Sequence, residues 1–172
     1  VPCLKAAAYY SEKGSRFNQL SRYWLAESYY RNEDFADSRE LFTELYNVSA
    51  LYGEQESWLM PYNIAYCYFK ESNYPAAKKW FAEYLEQPTV KYRKEALERS
   101  ADCSFITKDY KAAAAEYTLV MKDYPDVNDV YPYYQAASRS FPLRTTVSRV
   151  GVSPKAPLLI SLTLPENDRR GV

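Results

Sequence analysis

Residues 62–88 read YNIAYCYFKESNYPAAKKWFAEYLEQP, and this stretch decides the fold because it holds two helical patterns separated by a turn. Apolar residues recur three and four positions apart on both sides of the turn at Asn73. Before it they are Ile64, Ala65, Tyr68 and Phe69, and after it they are Tyr74, Ala77, Phe81 and Tyr84. This spacing places each set on one face of a helix, so it predicts a helix–turn–helix hairpin.

The same hairpin pattern occurs three times along the chain. Alignment on Asn73 places Asp34 in the equivalent position 39 residues earlier and Asp109 in it 36 residues later. In the first hairpin the residues at the equivalent positions are Leu25, Ala26 and Tyr29, then Phe35, Ser38, Phe42 and Leu45; in the third they are Ala101 and Phe105, then Tyr110, Ala113, Tyr117 and Val120. Self-similarity at such a period is typical of helical repeat proteins.

The residues between the helices support the same interpretation. Asp34, Asn73 and Asp109 each have a side chain suited to accept a bond from a backbone N–H in the first turn of the following helix. Pro75 lies in such a first turn, where its missing N–H is harmless. Prolines at positions 88 and 125 lie just past the second helix of their hairpins and are expected to end those helices.

Small and bulky residues alternate where the helices are expected to meet. The small residues are Ala26, Ala65, Ala77, Ala101 and Ala113, and the bulky ones are Phe42, Phe81 and Tyr117. A small side chain lets two helices approach closely, and an aromatic ring beside it fills the remaining space. The pattern therefore predicts hairpins that pack tightly against one another.

With these residues the chain resembles the tetratricopeptide repeat family over residues 21–141. The second hairpin has the family's small, aromatic, alanine, aromatic and proline pattern at Ala65, Tyr68, Ala77, Phe81 and Pro88. The third matches through Ala101, Ala113, Tyr117 and Pro125. The first hairpin matches less fully, because Ser38 replaces the usual alanine and no closing proline follows.

The resemblance implies an all-α fold: a right-handed α-α superhelix, or solenoid, of about three and a half hairpins with an irregular C-terminal tail. The step of 36 residues and the ending Asp123-Tyr124-Pro125 are similar to a variant found in bacterial cell-envelope assembly and coordinator proteins. A periplasmic or envelope location is therefore expected by resemblance, with the cytoplasm as the alternative.

The expected organisation is a solenoid over residues 1–141 and an irregular tail over 142–172. Within the solenoid we expect a capping helix at 4–13, hairpins at about 16–47, 57–87 and 91–123, and a half repeat at 128–141 that Pro142 ends. Residues 156–165 have the composition of a short strand. The longer first step suggests an extended loop at 47–57, which contains Gly53.

The amino-acid composition narrows the classes of function that the chain is expected to have. The chain has 22 basic and 22 acidic residues, so its net charge does not favour nucleic acid as a partner. No stretch approaches the ~20 apolar residues of a membrane-spanning helix, so we expect no membrane insertion. There is no histidine, the commonest general base and metal ligand, and the glycines are too few for a phosphate-binding loop. We therefore expect a protein that is not an enzyme and that has no metal and no cofactor.

The three cysteines do not suggest a disulfide framework. Cys67 and Cys103 occupy equivalent positions in neighbouring first helices, which pack ~8–10 Å apart, while a disulfide needs Cα atoms within about 4.4–6.8 Å. We interpret both as small core residues. Carboxylates at Glu95, Glu98 and Asp102 lie three and four residues apart beside Lys94 and Arg99, which is typical of an ion-paired helix face.

In the tetratricopeptide repeat family, the first helices of successive hairpins line a concave surface along which partners usually lie. The resemblance therefore implies a groove that holds a protein or peptide. The implied partner-binding residues are Tyr23, Glu27, Tyr30, Arg31, Tyr62, Tyr66, Phe69, Lys70, Asp102, Phe105 and Tyr134, with Glu98, Ile106 and Ser138 in the same row. Arg31 and Lys70 are candidates to bind a carboxylate, although charged helix residues are more often simply solvated.

Three alternatives remain open from the sequence. Any single tyrosine of this row can serve only to pack adjacent hairpins together. The same aromatic surface can stack on sugars, which predicts binding to carbohydrate or cell-wall glycan. The chain can also be a structural fragment of a longer repeat protein. The sequence predicts neither the partner's identity nor the oligomeric state.

Overall fold

The structure is a computed structural model of the 172-residue chain, and it describes residues 2–87, 91–125 and 131–132. The chain divides into two units, Val1–Pro142 and Leu143–Val172, and every described residue belongs to the first. The helices are α1 (Pro2–Tyr10), α2 (Arg16–Arg31), α3 (Phe35–Asn47), α4 (Gln55–Lys70), α5 (Tyr74–Leu85), α6 (Arg93–Ile106) and α7 (Tyr110–Asp123). The described residues contain no strand, so the predicted all-α class is confirmed for them.

Each helix packs mainly against the helices next to it in the chain. Side-chain bonds also join alternate helices: the Asn63 amide of α4 donates to Glu27 of α2 at 3.0 Å, and the Tyr46 hydroxyl of α3 donates to Glu83 of α5 at 2.7 Å. Similar polar contacts join α4 to α6 and α5 to α7. The first helices of the hairpins thus form one connected row, and the second helices form another.

The three hairpin turns have the same backbone geometry. Each contains a residue in the left-handed region after the first helix, namely Glu33 (φ 65°), Ser72 (φ 62°) and Lys108 (φ 67°). The next residue donates its N–H to the carbonyl five positions back at 2.9 Å in all three turns. This is the Schellman motif, which satisfies the last carbonyls of a helix and reverses the chain. Three equal turns place each pair of helices in the same relation.

The predicted caps are confirmed in two of the three hairpins. Asn73 Oδ1 accepts from the N–H of Ala76 at 3.4 Å, and Asp109 Oδ1 accepts from that of Ala112 at 3.1 Å. The prediction is wrong for Asp34, whose side chain makes no cap bond. Its backbone (φ −81°, ψ 64°) matches that of Asn73 (φ −90°, ψ 70°), so the difference lies in the rotation of the side chain.

The small and bulky residues predicted to pack together are all fully buried. Each hairpin places its first-helix alanine and its second-helix ring in one buried cluster: Ala26 with Phe42, Ala65 with Phe81, and Ala101 with Tyr117. Ser38, which replaces the usual alanine of the first hairpin, donates its hydroxyl to the Ala26 carbonyl at 2.8 Å. That bond satisfies a polar atom that would otherwise be costly to bury.

The extra residues of the longer first step lie in the predicted region, of which only residues 48–54 form the connection between α3 and α4. Seven residues likewise separate the end of α5 from the start of α6. Instead α3 has 13 residues where α5 has 12, and α4 has 16 where α6 has 14. The additional residues therefore lengthen α3 and α4, not the connection between them.

The ends of the described region agree in part with the sequence. The predicted capping helix is α1, which packs against α2 and ends at Tyr10, three residues before the predicted end. Residues 131–132 of the predicted half repeat are helical, and the Tyr131 ring contacts the Tyr117 ring with centroids 6.3 Å apart. The remainder of the half repeat, the tail at 142–172, the candidate strand at 156–165 and Pro88 lie outside the described residues.

We predict that Ser72→Gly stabilises the protein. Ser72 holds a left-handed conformation, which costs a residue with a Cβ atom roughly 1–2 kcal/mol. Glycine avoids this cost, but it loses more conformational entropy on folding, which offsets part of the gain. The free energy of unfolding, measured with urea, should rise by about 1 kcal/mol. The matched control is Lys79→Gly at an exposed position inside α5, which should lower it by about 1 kcal/mol. A loss of stability in Ser72→Gly would contradict the turn geometry.

Candidate functional site

A pocket of about 240 Å³ opens along the row of first helices. Its lining residues are Glu27 and Tyr30 from α2, Tyr62, Asn63 and Tyr66 from α4, Glu95 from α6 and Phe42 from α3. The pocket thus combines tyrosine rings with two carboxylates and one amide. We call it the first-helix pocket.

The aromatic wall of this pocket is held rigidly by other rings. Tyr62 and Tyr66 contact each other with centroids 4.8 Å apart. Tyr62 also stacks on Tyr92 at 5.2 Å, and Tyr66 meets the buried Phe81 edge to face at 5.4 Å. Because each ring is fixed on more than one side, a ligand that binds here orders few side chains, which keeps the entropic cost of binding low.

The phenol groups of the pocket remain protonated at neutral pH. Burial raises the pKa of Tyr30 to about 12, and it also raises the pKa values of Tyr62 and Tyr66. Tyr66 donates its hydroxyl to Glu95 Oε1 at 2.5 Å and so links α4 to α6. The pocket therefore presents neutral rings, with their hydroxyl groups, beside carboxylates.

Asn63 fixes the carboxylate of Glu27 in the pocket wall. Its Nδ2 donates to Glu27 Oε1 at 3.0 Å and to the Tyr23 hydroxyl at 3.1 Å. Burial raises the pKa of Glu27, with Arg31 and Asn63 opposing that effect. Tyr23 itself is 3% exposed and packs edge to face on Phe42, so it supports the wall from inside and does not reach the pocket.

The other predicted site residues do not line this pocket. Phe69 and Phe105 are half-buried at the hairpin turns, where they contact Tyr74 and Tyr110 with centroids 5.5 and 5.9 Å apart. Arg31 and Lys70 are exposed at the ends of their helices, and Ile106 is exposed beside the third turn. Tyr134 and Ser138 lie outside the described residues.

Asp102 forms a polar cluster in the interior. It is 5% exposed and accepts hydrogen bonds from the hydroxyls of Tyr117 and, at 2.7 Å, Tyr131. Arg99 pairs with its other oxygen at 2.5 Å. Asp102 stands 36 residues after Tyr66, and Tyr131 stands 36 residues after Glu95. The Tyr131–Asp102 bond is therefore the Tyr66–Glu95 bond one repeat later, with the tyrosine and the carboxylate exchanged. Of these contacts the Tyr131 bond joins Asp102 to the next repeat, while those with Arg99 and Tyr117 lie within its own hairpin.

Sequence reasoning missed a second polar cluster at Ser104. The Lys78 ammonium donates to its hydroxyl at 2.6 Å and pairs with Glu116 at 2.9 Å, while the Ser104 hydroxyl contacts Glu116 Oε2 at 2.7 Å. Ser104 is fully buried, so this cluster serves to join α5, α6 and α7. The sequence did carry one signal for this cluster, a basic residue five positions after the turn in two hairpins, Arg39 and Lys78. Arg39 makes the equivalent contact in the first hairpin, where its guanidinium lies 4.9 Å from the centroid of the Tyr68 ring.

The predictions for the cysteines are confirmed. Cys67 and Cys103 are buried and free, and Cys3 is free and exposed. Burial raises the pKa of Cys67 to about 11 and that of Cys103 to about 12, so both stay as neutral thiols. Within the described residues, no group of three or more cysteine, aspartate and glutamate side chains is arranged to hold a metal ion.

A second pocket, of about 660 Å³, lies beside the connection between α3 and α4. Its lining residues, none of them charged, are Tyr46, Asn47, Ser49, Ala50, Tyr52, Gly53, Ser57, Trp58, Met60 and Gln87. Among the described residues, Gln87 Oε1 is a buried acceptor that finds no donor. We call this cavity the connection pocket.

The backbone beside the connection pocket is strained and firmly held. Ser49 (φ 49°) and Leu51 (φ 57°) hold left-handed conformations that are strained for residues with a Cβ atom, and Gly53 (φ 84°), which adopts this region freely, follows them. The N–H of Leu51 donates to Gln19 Oε1 at 3.0 Å, and the Leu51 side chain is buried. Tyr52, between two of these residues, is 89% exposed. Such conformations persist only where their surroundings enforce them, and they are common at binding sites.

No protein-family model matches this chain, and no curated protein matches it by sequence. The resemblance to tetratricopeptide repeats therefore remains a prediction from the residues quoted above. As expected, no helix in the described part of the chain combines the length and the apolar character needed to cross a bilayer.

Proposed function

We propose that the chain is a tetratricopeptide-type solenoid that binds a protein or peptide segment along its row of first helices. Three turns of equal geometry and three buried pairs of small and aromatic residues support the repeat, and the right-handed superhelix follows by resemblance to that family. By the same resemblance we propose a bacterial envelope setting.

The first-helix pocket is the observation on which the binding role depends. It brings together four of the residues implied by the resemblance, Glu27, Tyr30, Tyr62 and Tyr66, at one opening. All four are only half-buried, so they have surface left to offer a partner. Tyrosine offers a large contact area for little lost rotamer freedom, which is why it is common where proteins bind.

The expected affinity is moderate. One or two partner side chains buried in the pocket contribute ~1.5–3 kcal/mol each, and the ordering of an extended segment offsets part of this gain. Contacts along the rest of the row are needed to hold the segment in register. Loss of one ring at the pocket is therefore expected to weaken binding clearly without abolishing it.

We predict that Tyr66→Ala weakens peptide binding about tenfold or more, because it removes one wall of the pocket and a hydroxyl that positions Glu95. Peptides of 15 residues are selected from a random library on the wild-type chain. Their dissociation constants for the wild type and each variant are then measured by calorimetry.

The matched control is Tyr46→Ala. Tyr46 is also a half-buried tyrosine that donates to a glutamate of the next hairpin, but it belongs to the row of second helices. Both variants should lose similar stability and keep their helical circular dichroism, and only Tyr66→Ala should lose peptide binding. Equal binding by both variants would contradict the proposal.

A second candidate function, carbohydrate binding, is favoured by the connection pocket. Tyr52 and Trp58, 89% and 43% exposed, stand beside an uncharged cavity with amide and hydroxyl groups. Sugars bind through this combination, because aromatic rings contact their C–H faces and neutral polar groups bond their hydroxyls. The unpaired acceptor at Gln87 suits a hydroxyl donor.

We predict that the double variant Tyr52→Ala, Trp58→Ala loses any binding of neutral oligosaccharides that the wild type shows on a glycan array. The control is Tyr9→Ala, Tyr10→Ala, which removes two rings that are 81% and 83% exposed on α1, away from this pocket. The control should bind as the wild type does. A wild-type chain that binds no glycan, or equal binding by all three proteins, would exclude this second function.

A further inference from the structure

The first-helix pocket has two carboxylates that the protein does not neutralise closely. Glu27 Oε1 bonds to a neutral amide, and its nearest cation, Arg31, stands 3.9 Å from Oε2 with its side chain 73% exposed. An exposed cation at that distance contributes little, because water screens it. Glu95 accepts from the Tyr66 hydroxyl and forms no ion pair within 4.0 Å among the described residues, although it also lines a neighbouring cavity with Lys91, Arg93, Lys94 and Arg99.

The basic residues of α6 near this pocket are engaged elsewhere, and Arg93 among them donates to the Leu85 carbonyl at 3.3 Å. Arg99 pairs with the buried Asp102 at 2.5 Å, and Lys94 lies 3.8 Å from Glu98 one helical turn away. Arg99 and Lys94 are therefore paired with other carboxylates of α6. Lys70, at the end of α4, is exposed and does not line the pocket. The charged groups that line the opening are thus both acidic.

The rings of the pocket suit the same ligand as its carboxylates. Tyr30, Tyr62 and Tyr66 line the opening together with Glu27 and Glu95. The face of an aromatic ring carries negative charge density and attracts a cation placed over it. At about 240 Å³ the pocket lies below the ~300–1,000 Å³ of small-molecule sites, so its size suits one side chain better than a whole ligand.

We propose that the first-helix pocket receives the lysine or arginine side chain of the bound peptide. This inference rests on the peptide-binding function proposed above and specifies the chemistry of the partner. It reverses the expectation that Arg31 and Lys70 select a carboxylate, because those cations lie outside the pocket and the groups that line it are acidic and aromatic. Rings and carboxylates together favour a cation over an apolar or acidic side chain.

The test uses the peptides selected on the full wild-type chain, resynthesised with acetylated N-termini so that side chains are their only amines. Those whose binding depends on Tyr66 should share a lysine or arginine at one position. Its replacement by norleucine or citrulline, which removes the charge and keeps the length, should weaken binding about tenfold or more. The double variant Glu27→Gln, Glu95→Gln should weaken the unmodified peptide by a similar factor.

The control variant is Glu83→Gln, which changes a glutamate that likewise accepts from a tyrosine hydroxyl but lies on the second-helix row. It should bind as the wild type does, and thermal melts should show that all variants fold. Tyr66-dependent peptides that need no basic residue, or that bind equally to Glu27→Gln, Glu95→Gln, overturn the cation assignment and leave peptide binding in place. A library that yields no Tyr66-dependent peptide overturns both proposals.

Discussion

The close approach of helices at small side chains is the constraint on which the rest of this structure depends. Ala65 of α4 and Ala77 of α5 are completely buried in the cluster that contains Phe81, and the other hairpins repeat the arrangement. A larger side chain at either alanine would separate the two helices and leave the ring without neighbours. The identical left-handed turns then set the same geometry for each pair.

The candidate site follows from this regular packing. Because each hairpin repeats the last, positions on successive first helices meet in the same register, and polar pairs form between them. Tyr66 meets Glu95 in one interval, and Asp102 meets Tyr131 in the next with the residue types exchanged. Tyr66 and Glu95 line an accessible pocket, whereas the carboxylate of Asp102 is buried. Equivalent positions thus line a pocket in one repeat and form part of the interior in the next.

Local patterns predicted the helical hairpins, but not which residues of the first-helix row are exposed. The turns, the two side-chain caps and the buried rings depend on residues close in sequence, so spacing was enough to find them. Tyr23 and Asp102 were expected at the surface but are buried, because their exposure depends on partners 15 to 40 residues away. The contact of Lys78 with Ser104 also joins separate helices. Such contacts depend on how separate hairpins pack together, and the residue pattern of a single hairpin does not show this.

The stability of Ala65→Leu tests the central claim most directly, with Ala82→Leu at an exposed position of α5 as the control. Both changes add the same atoms, and leucine and alanine are both good helix formers. We predict that Ala65→Leu lowers the free energy of unfolding in urea by about 1–3 kcal/mol, because no room exists between the helices, and that Ala82→Leu changes it by less than about 0.5 kcal/mol. Equal stability of the two variants would contradict the close packing of these hairpins.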